Sequence, residues 1–169
     1  MVRHVSLPVV LLALASSGCG SQLEPCTEGC PDISGVYTVQ NATPVGQCPF
    51  SPYLLAPTVQ LLQSDSGRKA TLDVIDPSSN LEVHLTGDVY ARGPKEDAAL
   101  LGSFQLNSSV VRSASQSDTQ PRVLDVSATG SVSLHEGRRV LSATLSTTDI
   151  TNGSNTGCSI SLAITGEGS

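Results

Sequence analysis

The chain has no tryptophan and only five aromatic residues: Tyr37, Phe50, Tyr53, Tyr90 and Phe104. Sites that hold sugars or bases usually present aromatic faces, so this scarcity argues against a carbohydrate-binding platform. Positive charge is scarce too. Nine Lys and Arg face fifteen Asp and Glu, a net charge of −6. Without a basic stripe there is no electrostatic footprint for nucleic acid, and none is expected as a partner. The adjacent bases Arg138-Arg139 read as a solvated hairpin tip.

Catalytic signatures are missing as well. There is no Gly-x-Ser-x-Gly elbow and no glycine-rich loop between a strand and a helix. Beyond His4, the histidines are His84 and His135. Acid pairs such as Glu96-Asp97, and Asp73 with Asp76, fall in or beside turns, where solvated carboxylates are the default. No nucleophile, base and orienting group come together, so the chain is expected not to be an enzyme and to need no cofactor.

Long hydrophobic runs are also absent. The most apolar stretch, Val5 to Ala15 interrupted by Ser6 and Pro8, is shorter than the roughly 18 residues a spanning helix needs. A transmembrane barrel is excluded by the want of aromatic girdles.

That stretch nevertheless organises the rest. Arg3 and His4 precede it, and the small residues Ser16-Ser17-Gly18 follow, the layout of a secretory signal. Ser16-Ser17-Gly18-Cys19 resembles the lipobox of bacterial lipoproteins, with Ser16 where that pattern most often has Leu. The resemblance implies that Cys19 is lipidated and becomes the new N-terminus after loss of residues 1–18. Two or more acyl chains hold a protein stably on a membrane. Gly20 in place of the Asp linked with inner-membrane retention implies the outer membrane, with the domain facing the periplasm or the exterior. Residues 19–32, rich in Gly and Pro, read as a lipidated tether, and residues 33–169 as one domain.

Four further cysteines remain: Cys26, Cys30, Cys48 and Cys158. An even number in an exported chain points to two disulfides, with three pairings open. Cys26–Cys30 with Cys48–Cys158 is favoured. A metal or redox reading of Cys26-x-x-x-Cys30 fits less well, because the spacing is not that of the usual redox pair and no histidine is near. No metal site is expected.

The domain reads as strand after strand. Period-two alternation marks Ile33–Gln40, Thr58–Gln63, Ala70–Ile75, Leu81–Arg92, Ala98–Val111, Val123–His135, Arg139–Thr147 and a last strand from Cys158. Core faces are assigned to Ile33, Gly35, Tyr37 and Val39; to Leu81, Val83, Leu85, Gly87, Val89 and Ala91; and to Leu100, Phe104, Leu106 and Val110. His84 falls on the polar face. Between the first two strands, residues 41–57 carry Pro44, Pro49, Pro52 and Pro57, which excludes helix and central strand. Pinning by Cys48 would make this stretch an ordered flap.

Eight antiparallel strands in sequence predict an all-β, up-and-down barrel, with a two-sheet sandwich as the alternative. Gly35-Val36-Tyr37 followed by a long loop and a meander is similar to the start of a lipocalin-type barrel, whose first strand carries Gly-x-Trp. That resemblance implies carriage of a small apolar ligand. Two functions therefore stand: a non-catalytic envelope lipoprotein acting through protein contacts, and a lipocalin-like carrier. The barrel interior discriminates them. Small in-phase residues (Gly87, Ala91, Ala128, Gly130, Ala143) leave room there for a cavity.

Overall fold

A computed structural model describes residues 24–93, 96–114, 120–152 and 158–168. The strands are β1 (Gly35–Asn41), β2 (Thr58–Ser64), β3 (Lys69–Asp76), β4 (Leu81–Ala91), β5 (Leu100–Arg112), β6 (Arg122–His135), β7 (Arg138–Asp149) and β8 (Ser159–Gly168). Each pairs antiparallel with the next, and β1 pairs with β8 through Tyr37–Gly168 to Asn41–Ile164. The result is a closed eight-stranded up-and-down barrel, as the strand pattern predicts. Closure pairs the first strand with the last, so neither is left as a free sheet edge.

Turn chemistry sets the hairpins. Glu136 and Gly137 both take positive φ (50° and 78°), the twist that a two-residue loop between right-twisted strands requires. At the β3–β4 hairpin, Asp76 Oδ1 accepts from the Ser78 amide and hydroxyl, and its own carbonyl accepts from the Asn80 amide. A short polar side chain thus folds the backbone back on itself.

The interior is filled. Tyr37, Tyr53, Phe104, Ile33 and eight leucines are completely buried in one core cluster. The space left by the small residues is occupied by rings and neighbouring strands. A Cβ on Gly130 would lie 2.8 Å from Phe104 Cζ, and one on Gly166 would lie 3.3 Å from Tyr37 Cβ. On β4, a Cβ on Gly87 would meet the Gln105 carbonyl at 1.9 Å. At these positions neighbouring atoms take the space of the missing side chains.

Three face assignments are corrected. A bulge at Leu101, between the pairs Leu100–Ser133 and Gly102–Val132, reverses the alternation, so Leu101 rather than Leu100 packs on the core. Tyr90 lies on the polar face of β4 yet is buried, because Pro25 bridges to it and the Cys26 amide donates to the Val89 carbonyl. At the two extremities of β4, Leu81 and Ala91 are exposed, since the strand outruns the packed part of the barrel there.

Candidate functional site

The chemistry of the described residues is concentrated at the two barrel ends, each crossed by a segment that strand periodicity leaves unassigned. The lid, residues 42–57, closes the end where β1, β3, β5 and β7 finish. It first runs beside β8: the Ala42 amide donates to the Ala163 carbonyl, Val45 bridges Ser161, and Cys48 is bonded to Cys158. Gly46 is required here. Its φ is 114°, and a Cβ would stand 2.7 Å from the Ser159 carbonyl. The lid then crosses the mouth, burying Phe50, Tyr53 and Leu55, and bridges β3 through Leu54–Ile75. The segment is thus the ordered flap that its prolines and Cys48 predict.

Beneath it lies a polar cluster. Arg112, at the end of β5, and Asp76, at the end of β3, form an ion pair with Nη2–Oδ1 at 3.0 Å, and their side chains are only 8% and 4% exposed. Arg112 Nη1 donates to the Ser51 carbonyl of the lid, and the guanidinium sits 4.9 Å from the centre of the Tyr53 ring. Thr147 Oγ1 accepts from the Tyr53 amide. The Nη2–carboxylate contact is electrostatic rather than a well-directed hydrogen bond, and Nε has no hydrogen-bond partner among the described residues. Burial pushes the Asp76 carboxyl up, but hydrogen bonds from Ser78 and Ser79 and the Arg112 charge outweigh it and hold it below its ordinary value. Burial raises the Tyr53 hydroxyl.

The opposite end is closed by the segment entering β1. From Pro25 onward the expected tether lies on the barrel: Cys26 bonds to Cys30, and Ile33 is fully buried. A Cβ on Gly102 would meet Pro31 Cγ at 2.6 Å, so that glycine admits the segment. Gln63 fastens it, its Oε1 accepting from the Ile33 and Ser34 amides and its Nε2 donating to the Pro31 carbonyl. Arg139 is not a free hairpin tip. It donates to the Ser34 carbonyl through Nη1 and to Asp32 Oδ2 at 2.9 Å through Nη2. Those contacts lower the Asp32 carboxyl. Tyr37, whose hydroxyl donates to the Ile33 carbonyl, is raised by burial.

Both disulfides take the favoured pairing, Cys26–Cys30 and Cys48–Cys158, each with Cα atoms 5.6 Å apart. Cys19 lies outside the described residues. His84 is on the outer face as expected, and its Nδ1 meets Asp73 Oδ1. That contact raises the imidazole above its ordinary value. His135 lines a depression of about 560 Å³ on the outside of the barrel, with Thr38, Gln40, Ser133, Thr165 and Glu167. Among the described residues no group of three or more His, Cys, Asp or Glu could hold a metal ion.

Sequence reasoning overlooked Asp76, Arg112 and Thr147 as a set. The signal was available. Asp76 continues the face of Leu72 and Val74, Arg112 that of Leu106 and Val110, and Thr147 that of Leu141 and Leu145. Carried one step further, the period-two pattern points all three inward.

No family model, curated protein or solved structure matches this chain.

Proposed function

We propose that this protein is a bacterial envelope lipoprotein, anchored through acylated Cys19, whose barrel acts as a non-catalytic scaffold for protein contacts. The anchor rests on the Arg3–Cys19 stretch, with its positive start, short apolar region and small residues before the cysteine. The scaffold role rests on one observation, the occupation of the barrel interior by Tyr37, Tyr53, Phe104 and packed leucines. A carrier's interior would be lined by such side chains rather than filled with them.

The tether enters the barrel at the end opposite the lid, so an acylated Cys19 would place the Arg139 end towards the membrane and the lid outward. Outer-membrane placement follows from Gly20 after the cysteine. Feeding labelled palmitate to a bacterial host tests the anchor. Label is expected in the wild-type chain and not in Cys19→Ser, and an unlabelled wild type would overturn it. Native mass spectrometry of exported Cys19→Ser tests the rest. A bare, fully oxidised mass is expected, whereas extra mass released on denaturation would favour the lipocalin-like carrier.

A further inference from the structure

The lid end carries a device that neither the anchor nor the scaffold role requires. Cys48 and Cys158 are both only partly buried, at the rim of the mouth. Their bond divides the lid. With it intact, only residues 49–57 lie between a fixed point at Cys48 and the start of β2. Without it, no covalent bond fixes the span 42–57 between β1 and β2. The hydrogen-bonded closure of the barrel does not run through the lid. Its closing ladder joins Tyr37–Asn41 to Ile164–Gly168 and uses no lid residue.

We propose that Cys48–Cys158 is a thiol-sensitive latch whose reduction releases residues 42–57 as a local unit while the eight-stranded barrel stays closed. The reductant is a dithiol. One of its thiolates attacks a sulfur of the pair, and the other cysteine leaves as a thiolate and takes up a proton. The reductant's second thiol then closes its own disulfide and releases the first cysteine, so that two electrons pass to the protein and the dithiol is oxidised.

What remains to hold the lid is the Ala42–Ala163 and Val39–Pro57 backbone bonds, the Val45–Ser161 and Leu54–Ile75 bridges, the Arg112 contacts with Ser51 and Tyr53, the Thr147–Tyr53 bond, the Asn41 side chain on the Leu55 backbone, and the burial of Phe50, Tyr53 and Leu55. Most of the hydrogen-bonding contacts lie near strand ends, where local opening is easiest. Release would withdraw Phe50, Tyr53 and Leu55 and uncover the apolar mouth.

Amide hydrogen exchange tests this in the full mature chain. Val45, Tyr53, Leu54 and Leu55 are the reporters, because their amides donate to Ser161, Thr147, Ile75 and Asn41 respectively. Dithiothreitol should speed exchange at these four by about tenfold or more while the amides of β5–β7 remain the slowest to exchange, and reoxidation should reverse it. Cys48→Ser/Cys158→Ser should reproduce the effect, and Cys26→Ser/Cys30→Ser should not. Unchanged lid exchange in the reduced chain and the first variant would overturn the proposal. So would β5–β7 amides that exchange as fast as the lid, or a first variant that fails to fold, since the barrel would then depend on the bond.

Discussion

The two ends of the barrel solve the same problem with the same parts at different depths. Each is covered by an irregular segment, tied by a disulfide, and held by an arginine that donates to a backbone carbonyl of that segment and pairs with an aspartate. At the lid end the pair is Arg112–Asp76, 8% and 4% exposed; at the tether end it is Arg139–Asp32, 33% and 66% exposed. The disulfides differ likewise, with sequence separations of 110 and 4. Identical chemistry therefore carries unequal energetic weight. Solvent screens one ion pair and not the other, and one cross-link restrains most of the unfolded chain while the other restrains a single turn.

The largest expected difference lies in the cross-links. Removing Cys48–Cys158 should lower stability by about 4–5 kcal/mol, and removing Cys26–Cys30 by about 2 kcal/mol, on the chain-entropy account. Denaturant midpoints of the two double serine variants would read this directly. Equal losses would mean that native-state packing, not loop length, sets the value of each bond.

Next come the ion pairs. Asp76→Asn leaves Arg112 buried without its counter-charge and should cost about 3–5 kcal/mol, whereas Asp32→Asn should cost about 0–1 kcal/mol. Thermal melts would separate the two, since 1 kcal/mol moves the midpoint by about 2–4 °C in a chain of this size. A smaller loss is expected midway between the ends. Gly130→Ala forces a methyl into contact with Ala143 and Phe104 and should cost about 1–3 kcal/mol, measurable by the same melts.

The least effect is expected from pH, and it has opposite signs on different groups. Asp76 and Asp32 both have folded pKa values below the ordinary 3.8. Each contributes stability that is present above that value and lost as pH falls through the depressed one. Acid titration of Asp76→Asn should show a flatter decline below pH 3.8 than the wild type. His84 behaves in reverse. Its pKa is raised by Asp73, so its contribution is present below 6.5 and fades as pH rises through the higher folded value. Its side chain is exposed, and NMR titration should move to a lower pKa in Asp73→Asn with little change in melting temperature.

Much of the architecture was legible in the sequence because it is local. Alternation places Leu124, Val126, Ala128, Gly130, Val132 and Leu134 on one face of β6; Leu124, Val126, Ala128 and Val132 are fully buried, whereas Leu134, at the hairpin end, is exposed. Turn residues such as Glu136-Gly137 mark where one strand becomes the next. The cysteines allowed the favoured pairing but did not dictate it. Less of the candidate site was legible. The two-residue period points Arg112 and Asp76 inward, but nothing local says that a lid 19 or more residues away in sequence will cover them.

By itself, then, the sequence determined the number and phase of the strands, the positions of the hairpins and the identity of an N-terminal stretch with the layout of an export signal. These depend on a two-residue period, on turn residues and on composition, all of which act over a few neighbours. Only the tertiary structure decided the rest. Closure of β1 on β8, the bulge that turns Leu101 inward, the burial of Tyr90 under Pro25 and the filling of the glycine-lined interior by Phe104 and Tyr37 each join residues far apart in the chain. Such contacts form only when the whole sheet has curled, because it is the curvature that brings their partners within reach.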